Sequence, residues 1–139
     1  MEEDADDTPA GALRAAAYNG NLVTVRKLLD EAVDPNVCDQ WGRTALSLAA
    51  KQGHIQVVKA LLAGGAWVDP HEDYDTHETP LAAAAENGHA PIVEILIAAG
   101  ANPMLHVGVT QATAEYYARI NGHTDIFKYL LKVMYGKKS

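Results

Sequence analysis

Cysteine pairs, a targeting signal and long apolar runs are all missing from this chain of 139 residues. Its single cysteine, Cys38, cannot form a disulfide within the chain, which suits a reducing compartment. The first ten residues, MEEDADDTPA, are acidic and have no apolar core, so they are neither a secretory signal nor a transit peptide. The longest apolar run, ALLAGGAWV over 60–68, is far too short to span a bilayer, which argues against membrane insertion. These absences predict an intracellular, cytoplasmic protein and leave a nuclear or organellar assembly open.

Aromatic side chains are also scarce. They make up 6% of the residues although 48% are hydrophobic, so the interior has to consist largely of Ala, Leu, Val and Ile. A β-sandwich would need more Val, Thr and aromatic residues, whereas closely packed helices suit this composition. The composition therefore predicts an all-α fold.

Basic residues are absent from the middle of the chain. Between Gly64 and Ala118 there are eight carboxylates and no Lys or Arg, while residues 119–139 carry five bases and one acid. A block of unpaired carboxylates argues against nucleic acid as a partner, because phosphate binding needs the opposite charge. The same block predicts a protein partner with a basic patch.

An internal repeat is what the chain does contain. Four segments superimpose, each with a short Ala-rich stretch, an Asn-Gly or Gln-Gly pair and a longer stretch with apolar residues at helical spacing. The segments are AAAYNGNLVTVRKLL (15–29), LAAKQGHIQVVKALL (48–62), AAAENGHAPIVEILI (83–97) and YARINGHTDIFKYLL (117–131). Their glycines, Gly20, Gly53, Gly88 and Gly122, are 33, 35 and 34 residues apart. Each glycine lies between two helical patterns, where a tight turn commonly needs a positive φ.

These segments resemble the ankyrin repeat family. DQWGRTALSLAAKQGHIQVVKALLAGGAWVD (39–69) and ETPLAAAAENGHAPIVEILIAAGANP (78–103) follow its D-x-x-G-x-T-P-L-H-L-A-A-x-x-G-H pattern closely. The resemblance implies an all-α helix–turn–helix solenoid with projecting finger loops or β-hairpins. It places four units at about 10–37, 38–69, 70–103 and 104–133, between an acidic tail, 1–9, and a basic tail, 134–139. The first and fourth units depart from the pattern, which indicates that they are caps.

The polar residues offer little for catalysis. His54, His89 and His123 recur once per unit, and the resemblance assigns them to packing or hydrogen bonding at the turn between helices. Equivalent residues of stacked units form a ladder and not the converging set that zinc needs. Cys38 has no activating base or oxyanion hole nearby and is expected to be buried, and Ser47 is the only serine before the C-terminal residue. We therefore predict a non-enzymatic protein with no cofactor and no small-molecule substrate.

The stretch HEDYDTHETP, 71–80, has three interpretations. The spacing between glycines across it is 35 residues instead of 33, so the extra residues are expected at the tip of a finger, in solvent. The finger is then a solvated loop, a specific docking element or a metal site. The metal ligands would be His71, His77, Asp73 and Asp75. The alternative function is thus a metal-responsive binding protein that uses the finger 71–78.

Proteins of this family usually bind other proteins through fingertips and the exposed face of the first helix of each unit. Carried over to this chain, the predicted partner-binding residues are Tyr18, Asn19, Gln40, Trp41, Arg43, Lys51, Gln52, Tyr74, Asp75, Thr76, Glu78, Glu86 and Asn87, with Ile120 and Asn121 at the equivalent places of the fourth unit. Trp41 occupies a fingertip and Trp67 a loop, where each indole either contacts a partner or folds back on the neighbouring finger. We predict an adaptor, an inhibitor or a small subunit of a larger assembly. It would bind its protein partner through the finger loops and the concave helix face.

Overall fold

The structure, a computed structural model, describes residues 7–70, 78–106 and 112–136. Within these ranges the chain forms eight α-helices and no β-strand, which confirms the all-α prediction. The helices are α1 (Pro9–Asn19), α2 (Leu22–Asp30), α3 (Ala45–Gln52), α4 (Ile55–Ala63), α5 (Pro80–Glu86), α6 (Ala90–Ala98), α7 (Ala114–Ile120) and α8 (Thr124–Tyr135). They form four consecutive pairs, as expected for a helix–turn–helix solenoid.

A glycine turn joins the two helices of each pair. Gly20, Gly53, Gly88 and Gly122 have φ values of 74°, 84°, 79° and 79°, in the left-handed region that other residues rarely adopt. The N–H groups of Gly20 and Gly53 close the preceding helix by bonding to carbonyl groups of its last turn. The predicted role of the four glycines is therefore confirmed.

Threonine begins the first helix of each pair. The side-chain oxygens of Thr8, Thr44 and Thr79 accept backbone N–H groups three residues later, at 3.0, 3.2 and 3.0 Å. These bonds satisfy N–H groups that a helix leaves without a partner at its start. Thr113 begins α7 without such a bond and donates its hydroxyl to Glu115 Oε1 instead, at 3.1 Å.

The helices form two layers. The first helices pack side by side, α1 against α3, α3 against α5 and α5 against α7. Small side chains permit this close approach, because the buried residues at these contacts include Ala17, Ala49, Ala50, Ala83, Ala84, Ala85 and Ala118. The second helices supply larger buried side chains, among them Val25, Val58, Val93, Leu61, Leu96 and Leu130. The core thus lies between the two layers, and the turns and fingers project from its edges.

The fourth helix pair is polar at places where the first three pairs are apolar. A leucine that is fully buried in the first three pairs is replaced by Glu115, which is half-buried. Arg119 replaces a fully buried alanine and is exposed, with its guanidinium 5.3 Å from the centroid of the Tyr116 ring. A polar, exposed end face supports the interpretation of this unit as a cap.

Candidate functional site

Histidines connect each helix pair to the one before it. The Nε2 atoms of His54, His89 and His123 lie 3.0, 2.9 and 3.0 Å from the carbonyl oxygens of Tyr18, Lys51 and Glu86. Each hydrogen bond therefore crosses to the first helix of the preceding unit. This confirms hydrogen bonding near the turn, and the three histidines form a ladder instead of converging on one point.

The same imidazole rings give a second reason, besides the positive φ, why the turn position is glycine. A Cβ added at Gly20, Gly53 or Gly88 would lie 2.7 Å from an atom of the next unit's imidazole ring. Real Cβ atoms essentially never come that close to another heavy atom. The turn position thus needs glycine both for its positive φ and for the histidine that covers it.

The finger of the second unit ends in a tight turn that presents Trp41. Asp39 Oδ1 accepts the N–H groups of Trp41 and Arg43, both at 2.9 Å, and Asp39 O accepts the N–H of Gly42 at 2.9 Å. Arg43 Nε donates to Asp39 Oδ2 at 2.8 Å, and its guanidinium lies 4.9 Å from the centroid of the indole. The indole remains 47% exposed. Trp41 is thus held by its own finger, with about half of its surface free for contact.

Trp67 lies in a different environment from Trp41. Its N–H donates to Asn36 Oδ1 at 2.8 Å, and Asn36 Nδ2 donates to Gly65 O at 3.1 Å. The indole lines a small cavity together with Gly42 of the preceding finger and Pro80 of the next unit. The Trp67 indole thus contributes to a cavity between units, and 37% of its surface stays exposed. The buried Asn36 amide connects two units, a role that sequence reasoning missed.

Charged residues from two units meet beside the Trp41 finger. Lys51 Nζ lies 4.0 Å from Glu78 Oε2. Burial raises the pKa of Glu78; Lys51 opposes this shift, while Glu86 adds to it through charge repulsion. Glu86 itself is exposed, and within the described part of the chain no cation lies within 4.0 Å of it.

The acidic block of the sequence is thus less uniform than expected. Glu78 has a cation from outside the block, and Asp69 Oδ2 accepts the N–H of Asn102 at 2.8 Å. The description of these carboxylates as unpaired was wrong for Glu78, because Lys51 lies far from it in sequence but on the adjacent first helix. Glu86 keeps the negative character that the sequence indicated.

Most of the predicted partner-binding residues that the structure describes are accessible. Exposed or half-exposed side chains are Tyr18, Asn19, Gln40, Trp41, Arg43, Lys51, Gln52, Glu78, Glu86, Asn87, Ile120 and Asn121. The side-chain amides of Asn87 and Asn121 are partly occupied, because each donates to a carbonyl of its own helix at 2.8 Å. These two residues close helix ends as well as facing solvent.

Part of the predicted site falls outside the described residues. Tyr74, Asp75 and Thr76 of the third finger lie there, as do the possible metal ligands His71, Asp73 and His77. In the ranges 7–70, 78–106 and 112–136, no three His, Cys, Asp or Glu residues come together as a metal site. The metal alternative stays a prediction from sequence.

Two further features bear on the sequence predictions. Cys38 is half-buried, so the expectation of a buried cysteine was wrong. None of the helices that the structure describes has the length and apolar character needed to cross a membrane.

Comparison with known proteins agrees with the repeated helix pairs of the structure. The sequence model of a family described as "Ankyrin repeats (3 copies)" matches residues 13–107 and 68–138. The chain is 41% identical over 61 residues to the 2-5A-dependent ribonuclease of Mus musculus and 44% identical over 55 residues to ankyrin repeat domain-containing protein 39 of Homo sapiens. It is also 40% identical over 57 residues to inversin of Danio rerio. These matches cover 43%, 40% and 40% of this chain but only 8%, 30% and 6% of the relatives, so the chain corresponds to less than a third of each.

Proposed function

This chain belongs to the ankyrin repeat family, and we propose that it acts by binding a protein partner through the Trp41 finger and the exposed face of its first helices. Ankyrin repeats make the chain a protein–protein interaction module. The finer proposal is a non-catalytic adaptor, inhibitor or small subunit of an assembly. Some relatives are named as enzymes, but the shared part is 8% of the 2-5A-dependent ribonuclease, so that activity belongs to the relative.

The observation that carries the proposal is the environment of Trp41. An indole that is 47% exposed at the tip of a hydrogen-bonded turn loses little conformational freedom on binding, because Asp39 and Arg43 already hold it. Tryptophan is enriched among the residues that contribute most to binding energy. Trp67 is 37% exposed and lines a small cavity with residues of neighbouring units, so less of its indole is open to a partner than at Trp41.

The charges near Trp41 support a partner with a basic patch. Glu78 and Glu86 lie on the third unit, and repulsion between them contributes to the raised pKa of Glu78. A cation from the partner would relieve this repulsion and would also be attracted at a distance by the acidic middle of the chain. Such steering acts mainly on the association rate and weakens as salt is added.

The test uses a partner isolated from native extract on the immobilised chain and identified by mass spectrometry. We expect Trp41→Ala to weaken its binding by about 2 kcal/mol, chiefly through faster dissociation in surface plasmon resonance. Val23→Ala is the matched control, because Val23 is 79% exposed on the second helix α2 and lies outside the proposed surface. If Trp41→Ala dissociates at the wild-type rate, the finger is not the binding surface.

A further inference from the structure

One residue of each first helix occupies the same place, two positions before the turn glycine. We call these residues the first-helix row, and they are Tyr18, Lys51, Glu86 and Ile120. Tyr18 is 46% exposed, Ile120 is 53% exposed, the side chain of Lys51 is 41% exposed and Glu86 is exposed as well. The row thus presents an aromatic, a cationic, an anionic and an aliphatic side chain in succession.

The histidine ladder holds this row in register. The carbonyl groups of Tyr18, Lys51 and Glu86 are the ones that the imidazoles of the next unit contact at 2.9 to 3.0 Å. Helices that pack side by side lie about 8–10 Å apart. Successive residues of the row are therefore expected about 8–10 Å apart, and the whole row is roughly 24–30 Å long.

The charges within the row are not balanced. Lys51 already has Glu78 at 4.0 Å, whereas Glu86 has no cation within 4.0 Å among the described residues. Glu78 and Glu86 also repel each other. Of the four residues in the row, Glu86 is thus the one at which a cation of the partner gains the most favourable electrostatic interaction.

The spacing of the row favours one backbone conformation for the partner, because it sets how many residues the segment needs per unit. A polyproline II segment has three residues per turn and rises about 3.1 Å per residue, so every third side chain lies on one side at intervals of about 9 Å. In a β-strand, residues three apart point to opposite faces. An α-helix would need about seven residues for the same distance. The polyproline II conformation therefore matches one side chain per unit with the shortest segment.

We infer that the partner segment is of the polyproline II type and places a Lys or Arg opposite Glu86. An apolar side chain about three residues from this cation contacts Ile120. A second apolar side chain, about six residues from the cation in the opposite direction along the segment, contacts Tyr18. This inference rests on the proposed function, since it specifies what the exposed face of the first helices would recognise. The two ends of the row supply apolar contact area, and Glu86 sets the register between them.

A synthetic peptide tests the register directly. The probe is Leu-Pro-Pro-Ala-Pro-Pro-Arg-Pro-Pro-Leu, together with its reversed sequence, because a polyproline II segment can present the same side chains in either chain direction. We expect one of the two to bind about five times more tightly than the same peptide with Gln in place of Arg, measured by NMR titration of backbone amides. In the Glu86→Gln protein this difference should disappear, since the cation has lost its counter-charge.

Further variants separate the contacts of the row. Ile120→Ala and Tyr18→Ala should each weaken the Arg peptide several-fold, while Val23→Ala on α2 should leave it unchanged. Placing the same Leu and Arg residues in an Ala-based peptide favours the helix over polyproline II and should also weaken binding. Equal binding of the Arg and Gln peptides to the wild-type protein, or binding of neither, would overturn the inference. No residue of the peptide is assigned to Trp41, so that outcome is distinct from the Trp41→Ala result, which tests the proposed function.

Discussion

The turn glycines illustrate how one residue satisfies two separate requirements. Gly88 and Gly122 have the same φ, 79°, yet they differ in what lies above them. A Cβ on Gly88 would meet Cε1 of His123 at 2.7 Å, whereas a Cβ on Gly122 would have nothing within 4 Å in the described part of the chain. The pair therefore separates the cost of backbone strain from the cost of displacing a histidine.

We expect Gly122→Ala to destabilise the protein by about 1 kcal/mol, which is the cost of placing a Cβ in the left-handed region. Gly88→Ala should cost a further 1 kcal/mol or so, because it also disturbs the hydrogen bond between His123 and Glu86 O. Urea denaturation of both variants gives the comparison. Equal losses of unfolding free energy would mean that the imidazole moves aside without cost.

The stability of the first helix of each pair depends on the residue that caps its N-terminus. α5 and α7 each have seven residues, too few to be stable alone, so their ends and their packing must hold them. Thr79 caps α5 through a bond to Ala82 N at 3.0 Å and is 4% exposed. Thr113 begins α7 without a side-chain cap.

Replacing each threonine by Val keeps its shape and removes its hydroxyl. We expect Thr79→Val to lower the free energy of unfolding by about 1–2 kcal/mol, because it leaves the N–H of Ala82 buried without this acceptor. Thr113→Val should cost clearly less, since no cap bond is lost at α7. Thermal and urea denaturation of the two variants check this order, and a reversed order would show that capping does not limit these helices.

Among the described helices, the main contacts of each unit are with its neighbours in the stack. Helix contacts join α1 to α3, α3 to α5 and α5 to α7, and histidine bonds run between the same neighbours. In such a stack, stability is the sum of each unit's own stability and of the interfaces between units. A terminal unit shares one interface and an internal unit two, so the end of the stack opens first.

Two histidine variants test this arrangement. His123→Ala weakens the interface of the last unit, so we expect faster amide hydrogen exchange confined largely to 112–136. His89→Ala weakens the interface between the second and third units, so exchange should rise on both sides of it. Mass spectrometry of the exchanged protein locates the change. A uniform rise along the chain in both variants would instead indicate a single cooperative unit.

The sequence by itself determined the features that are local to one unit. The glycine spacing and the apolar stripes predicted the helix pairs and the positive φ of Gly20, Gly53, Gly88 and Gly122. These features were readable because turn conformation and helical periodicity depend on residues a few positions apart. The fingertip position of Trp41 came from the resemblance to the ankyrin repeat family.

Only the tertiary structure determined the side-chain contacts between units. It placed Trp41 at a fingertip with 47% of its surface exposed and Trp67 beside a cavity with 37% exposed, although the sequence left both alternatives open for each. It paired Lys51 with Glu78 and gave the Asn36 amide its two partners across the interface. These contacts join residues about 30 positions apart, and they depend on how one helix pair packs on the next. No pattern within a single unit specifies that packing, because it is set by the side chains that two units bury together.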